Sequence, residues 1–156
     1  MQARRLRRLF NLYLPLRGAG IRVEELADDW SYARVALHQR WYNLNYVGTH
    51  FGGSLFAMTD PFWMIMVMES LGYDYVVWDK AAEIEFVSPG RGSVIAEFRL
   101  DPARVETIRK ATESGDKHLE WFETQVRAQD QSVVAKVRKQ LHIRRKVQLG
   151  GNHGAA

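Results

Sequence analysis

The chain has 156 residues, 46% of them hydrophobic, which is enough to bury one sizeable core and close to the ordinary size of a single domain. Its 22 Lys and Arg exceed its 18 Asp and Glu by four, a mild excess that suits an anionic ligand such as a phosphorylated cofactor without requiring nucleic acid. The absence of cysteine excludes disulfides, thiolate metal sites and a cysteine nucleophile, and with no stretch that reads as a cleavable signal a cytoplasmic location is expected.

At the N-terminus Leu6, Leu9, Phe10, Tyr13 and Leu14 recur at helical spacing, with Arg4, Arg5, Arg7, Arg8 and Asn11 on the other faces. This predicts an amphipathic basic helix within residues 1–17, stopped by Pro15 and the Gly18/Gly20 pair. Such a helix can make a weak membrane-surface contact, or pack one face on the domain and leave its arginines in water. Two extended pieces follow, 21–27 and 32–38, separated by the polar turn "DDW". The apolar segment 55–71, "LFAMTDPFWMIMVMESL", is interrupted by Asp60, Pro61 and Glu69. Its unbroken piece, 62–68, is far shorter than the roughly 20 residues that cross a bilayer. Between Leu55 and Met68 it is apolar nearly all round, as a helix is when a sheet wraps it on several sides.

The pattern then changes to period two. Trp78, Ala82, Ile84 and Phe86 oppose Asp79, Glu83 and Glu85, which predicts a half-buried strand. The turn "SPGRG" leads to a second strand, with Val94, Ala96, Phe98 and Leu100 alternating against Ser93, Glu97 and Arg99. Asp101 and Pro102 read as a cap and a first-turn proline of a short helix ending near Glu113. The last third is a long hairpin, "KHLEWFETQVRA" and "SVVAKVRKQLHI", joined at Asp130 and Gln131. Val133, Ala135, Val137, Leu141 and Ile143 alternate in its second arm. In the first arm the apolar register slips between Leu119/Trp121 and Phe122/Val126, which means a bulge or a change of burial. The tail, 147–156, has few core-forming residues and is expected to be disordered. The element order over 18–146 predicts an α+β domain, one highly twisted antiparallel sheet around a single long helix.

The stretch "NYVGTHFGGSLFAMTD", 45–60, carries the candidate chemistry. Gly52 and Gly53 let another group approach the backbone and immediately precede a helix whose first amides have no internal partners. Those amides present donors and a partial positive charge, so a carbonyl seated there would be stabilised as an oxyanion when its carbon is attacked. Asn45 adds a side-chain amide or holds the turn. Asp60 stands seven residues after Gly53, which on one helix is about two turns and roughly 10 Å along the axis. One helix therefore cannot bring its own amides and its own carboxylate to one carbon, whereas a second copy across a dimer can. An aspartate in an apolar run must find a partner, titrate upward or line a cavity. The plainer reading is that the glycines make a turn into the helix and that Pro61 kinks it.

These residues resemble the hotdog superfamily, in particular its phenylacetyl-CoA-thioesterase-like branch. Its signature is Asn-x-x-Gly-x-x-His-Gly-Gly followed seven residues later by a catalytic acid, matched here by Asn45, Gly48, Phe51, Gly52, Gly53 and Asp60. "FGGSLFAMTDPF" is similar to a set of uncharacterised thioesterase-like hotdog domains, and the resemblance spans 21–144. It implies a hotdog fold and a homodimer or dimer of dimers with sites at the subunit interface. It also implies acyl-CoA or another acyl thioester as substrate, with no cofactor and no metal. Carried over, Gly53 donates an amide to the thioester carbonyl, Asn45 orients substrate or water, and Asp60 of the neighbouring subunit is the general base or nucleophile. Phe51 stands where the family has histidine, His50 sits one place earlier, and Pro61 directly after the acid departs from the commonest pattern. His50 is then functional or turn-stabilising. Arg91 and the basic end 144–146 meet CoA phosphates or stay solvated, and Phe56, Trp63, Met64 and Met66 shape an acyl tunnel or pack the core. The readings are an acyl-CoA thioesterase, a non-catalytic acyl-CoA or lipid-binding module, and a dehydratase or hydratase using His50 with Asp60.

Overall fold

The computed structural model describes residues 2–146. In chain order the elements are α1 (Ala3–Leu12), α2 (Leu14–Gly18), β1 (Ile21–Leu26), β2 (Tyr32–His38), α3 (Gly52–Ala57), α4 (Phe62–Leu71), β3 (Tyr75–Phe86), β4 (Ser93–Arg99), α5 (Pro102–Ala111), β5 (His118–Arg127) and β6 (Val133–Arg145). The strands form one sheet in the order β1-β2-β4-β5-β6-β3, every neighbouring pair antiparallel. The alternation puts Val35 and Leu37 of β2, Val94, Ala96 and Phe98 of β4, Phe122 and Val126 of β5, and Leu141 and Ile143 of β6 in the core. Helices α3 and α4 fill the concave face. Phe62 lies 5.1 Å from the Phe98 ring, and Trp63 stacks on Phe122 at 4.9 Å while its Nε1 donates to Thr124 Oγ1 at 2.8 Å. Each such buried aromatic removes a large apolar area from water, and Trp63 also satisfies its own polar atom.

The central helix is in two pieces. Pro61 has no amide to donate and crowds the preceding turn, so the chain tightens after α3. Thr59 and Asp60 donate their amides to Phe56 and Ala57 at 3.0 and 3.2 Å, three residues back, and the Thr59 hydroxyl also donates to the Phe56 carbonyl. Pro61 then caps α4, which runs to Gly72, whose φ of 94° ends it. Gly53 and Asp60 therefore do not share one helix.

Edge strand β3 departs from the expected alternation as well. Its pairing with β6 shifts between Asp79 and Ala81, so Lys80 is bulged and the two halves of the strand present different faces. Trp78 and Phe86, expected to be inward, are exposed. In β5 the pairing is regular from His118 to Val126, so the slip in the pattern is a change of burial. Trp121 points outward beneath the Arg138 guanidinium, 4.6 Å from the ring centre.

At the opposite edge the N-terminal segment packs on β1. Ala3, Leu6 and Leu16 join the core and the Phe10 ring meets Phe62 at 5.7 Å. The Asn11 side chain imitates a strand residue, its Oδ1 accepting from Val23 N–H at 2.8 Å and its Nδ2 donating to Val23 C=O at 3.0 Å. Arg7 donates to the Glu24 carbonyl at 2.7 Å. The β1 edge is thus covered by a helix of the same chain. The tail, 147–156, lies outside the described residues. Asn11→Ala should lower the unfolding free energy by about 1–2 kcal/mol in urea denaturation, through the loss of two hydrogen bonds at a partly buried edge. No change would show that water serves that edge equally well.

Candidate functional site

The loop before α3 is organised by Asn45. Its Nδ2 donates to Thr49 Oγ1 at 2.8 Å and to the His50 carbonyl at 3.2 Å, and its Oδ1 accepts from the amides of Val47 and Thr49 at 3.1 and 3.0 Å. The amide group is therefore spent on holding its own loop. The turn carrying Arg91 docks against this loop. Arg91 Nη1 and Gln39 Nε2 both donate to the Gly48 carbonyl, at 3.1 and 3.2 Å, while the Gln39 oxygen accepts from Gly92 N–H. His50 is 3% exposed, its amide donates to Gly90 C=O at 3.0 Å, and its Nε2 bonds the Gly92 carbonyl at 2.8 Å. That bond makes Nε2 the protonated nitrogen and leaves Nδ1 as a buried atom without a partner. Burial holds the His50 pKa below its ordinary 6.5, opposed by the Gly92 carbonyl. His50 thus pins the loop to the turn as a neutral ring.

At the start of α3 two aromatic rings stand over the glycines. A side chain on Gly52 would come within 2.9 Å of the Phe86 ring, and one on Gly53 would collide with the Phe51 ring. The glycines let both exposed rings lie close to the backbone, and a larger residue would push them aside. Phe51 caps the helix with its backbone only, its carbonyl accepting from Ser54 and Leu55, so no side-chain cap stands at the Gly52 and Gly53 amides. Beside them opens a pocket of about 420 Å³ whose lining includes Asn45, His50, Gly52, Leu55, Phe86 and Pro89. Phe51 is exposed, and neither it, Gly53 nor Arg91 is among the lining residues, although Arg91 follows Gly90, which is.

Asp60 lies elsewhere, in the turn between α3 and α4, and its partner is a residue that pattern reading overlooked. Lys139 occupies the inward register of β6, between Val137 and Leu141, and is 1% exposed. Its Nζ donates to Asp60 Oδ1 at 2.7 Å, to Asp79 Oδ2 at 2.6 Å and to the Asp60 carbonyl. The Asp60 side chain remains 56% exposed. The helix break, the β3 bulge and the middle of β6 therefore meet at one ammonium. The signal was present in the sequence, as a single lysine within the inward series Ala135, Val137, Leu141 and Ile143. Strand β3 then flanks the helix pair, with Phe86 beside Gly52 and Asp79 beside Asp60. Phe56, Ala57, Met64, Ile65 and Met68 form a half-covered apolar stripe on the helices, while Trp63 and Met66 are core residues. Within one chain, Asn45, His50 and Gly52 share a pocket, and Asp60 is not among its lining residues.

A single curved antiparallel sheet around this helix pair is the hotdog fold. The fold is shared with PA5026 of Pseudomonas aeruginosa, a protein of unknown function and probable thioesterase, at a TM-score of 0.81 and 21% identity over 93% of this chain and 97% of that one. It is shared with the thioesterase HI1161 of Haemophilus influenzae (TM-score 0.68, 12% identity, 96% and 95% of the two chains). The E. coli PaaI protein from the phenylacetic acid degradation operon also matches (TM-score 0.62, 16% identity, 89% and 90%). No curated protein sequence matches the chain. Residues 3–143 match the family described as "Domain of unknown function (DUF4442)", and the chain belongs to that family.

Two outcomes follow from the geometry. Asp60→Asn and Asp79→Asn each leave the Lys139 ammonium one carboxylate, whereas the double variant strips both. The double variant should lose about 3–5 kcal/mol in chemical denaturation, more than the two singles summed, and simple additivity would show that the ammonium does not depend on the pair. For His50, the unfolded chain takes up a proton near pH 6.5 and the folded chain only below that value. Unfolding then binds a proton, and stability falls as pH drops below about 6.5. Melting temperature should fall more steeply on acidification in the parent than in His50→Gln; parallel curves would count against it.

Proposed function

We propose that the protein hydrolyses an acyl thioester at sites shared between two copies of the chain, with Asp60 of one copy facing the Gly52–Gly53 helix start of the other. The observation that carries this reading is Asp60 itself, a half-exposed carboxylate fixed by a buried ammonium at a break in an otherwise apolar helix pair. Such a group is held in place and yet open to a ligand. The open β3 edge and the half-covered stripe of Phe56, Met64 and Met68 beside it are the surface that a second copy would cover. The thioesterases among the structural relatives point the same way.

In this mechanism acyl-CoA lies with its acyl chain along the pocket beside Phe86 and Leu55, and its phosphates toward Arg91. Asp60 takes a proton from water as the water oxygen bonds to the thioester carbon. The negative charge passes to the carbonyl oxygen, held by the Gly53 amide. Collapse of that intermediate breaks the carbon–sulfur bond, the thiolate takes the proton back from Asp60, and a carboxylic acid and free thiol leave. Lys139 holds Asp60 in position and touches no substrate, and Asn45 and His50 shape the loop that walls the pocket.

One observation favours a second reading, a module that binds acyl-CoA or a lipid without turnover: the Phe51 ring, at the position where the resembled signature has histidine, packs against Gly53. The hydratase reading gains no such support, because both ring nitrogens of His50 are buried or committed. Thiol release from a panel of acyl-CoA substrates separates the first two. The parent should turn over and Asp60→Asn should be slower by about 10²–10⁴-fold; an equally fast variant rules Asp60 out, and tight binding with no turnover by the parent selects the binding module. Gly53→Pro deletes the amide in the first helical turn, where the backbone accepts proline once the exposed Phe51 ring swings aside. Mixed with Asp60→Asn, it should restore about a quarter of parental activity if the site is shared across a two-fold dimer.

A further inference from the structure

The first 23 residues contain six arginines and no acid, and Glu24 is the first carboxylate in the chain. The remainder carries sixteen Lys and Arg against eighteen Asp and Glu, so the positive balance of the whole molecule resides in this segment. Helix α1 turns Ala3, Leu6 and Phe10 toward the core, and its other face carries Arg4, Arg5, Arg8, Leu9 and Leu12, all exposed. At 100° per residue these five span an arc of roughly 140°. Where α1 passes into α2, Tyr13 and Leu14 are exposed too, Leu14 to 75%. Four large apolar side chains thus project into water from a single corner, while their neighbours Leu6 and Leu16 are buried.

A contiguous apolar corner with a polar rim marks a contact surface, and the chemistry of the rim selects the partner. Here the helix supplies only cations to the rim, Arg4, Arg5, Arg8 and Arg17, and the nearby Glu24 carboxylate is paired with Arg34. Arg7, Arg8 and Arg22 also border an open cleft of about 720 Å³ between α1 and β1. Leucines with a tyrosine beside them and arginines at the same level match the layering of a bilayer surface, acyl boundary below and phosphates above. Among the described residues no helix is long and apolar enough to cross a membrane, so the contact would be surface-lying. The helix is also fixed to the domain, by Asn11 and Arg7 on β1 and by Phe10 on Phe62.

We propose that this corner docks the protein on an anionic lipid bilayer, with Leu9, Leu12 and Leu14 at the acyl boundary and the surrounding arginines on headgroup phosphates. The rigid attachment of α1 makes the docking orient the whole domain rather than tether it. Binding is measured without turnover, so the proposal stands or falls apart from the thioesterase reading.

The test is co-sedimentation of the full chain with vesicles of phosphatidylglycerol and phosphatidylcholine, against phosphatidylcholine alone. The parent should bind the anionic vesicles, more weakly as salt rises, and leave the neutral ones unbound. Truncation is unsuitable because Ala3, Leu6 and Asn11 support the fold, so exposed positions are changed instead. Leu12→Glu with Leu14→Glu should keep the parental melting temperature and lose binding by at least about tenfold. Arg5→Gln and Arg8→Gln should each lose about fivefold. Failure of the parent to bind anionic vesicles, or unchanged binding by the leucine variant, overturns the proposal. A fall in molecular mass of the leucine variant in sedimentation equilibrium also overturns it, since the corner would then be a protein interface.

Discussion

An ammonium group in the inward register of a strand has to be neutralised, and the arrangement around Lys139 follows from that requirement. Burying the charge unpaired would cost more than a domain of this size can spare. Two carboxylates from separate elements answer it, Asp79 from the bulge in β3 and Asp60 from the turn between α3 and α4. The bulge and the helix break are irregularities in otherwise regular elements, and both place an oxygen on the same nitrogen. A straight helix through residue 60 or an unbulged β3 would deliver its carboxylate elsewhere. The break in the central helix is therefore coupled to the sheet, and a local feature of Pro61 becomes a tertiary one.

Much of the fold was legible because its cause is local. Alternation located β4 and β6, and the Asp101-Pro102 cap located α5, with Asp101 accepting from Ala103 N–H at 2.8 Å. Where a tertiary partner decides the outcome, the pattern failed. The apolar run from Leu55 to Met68 reads as one helix because nothing in its periodicity records the tightened turn at Thr59 and Asp60. Trp78 reads as inward because alternation assumes a continuous register, which Lys80 interrupts, whereas Phe86 keeps the face of Ile84 and is exposed at the strand end over Gly52. Asn11 looked like a polar position on an amphipathic helix and is instead the hydrogen-bond partner of β1.

The candidate site divides along the same line. The glycines and the aspartate were visible as residue types out of place in their surroundings. Lys139, the residue that fixes Asp60, sits 79 positions later in sequence, so no local pattern joins the two. Asn45 and His50, singled out for chemistry, are engaged in building the wall of the pocket. Asn45 spends its whole amide on the loop and His50 its Nε2, so the shape of the loop, rather than any free donor, is what they contribute.

The two edges of the sheet are treated differently. At β1 the chain supplies its own cover, with Asn11 standing in for a neighbouring strand, while among the described residues no strand pairs with the outer side of β3. A sheet with two open edges can add strands indefinitely and grow into a fibre. A sheet with one open edge can add a single neighbour by that route, after which both copies present only closed sides. Were copies to join by strand addition, the N-terminal helix would act as a chain terminator: a few residues outside the sheet would limit the growth to a finite pair.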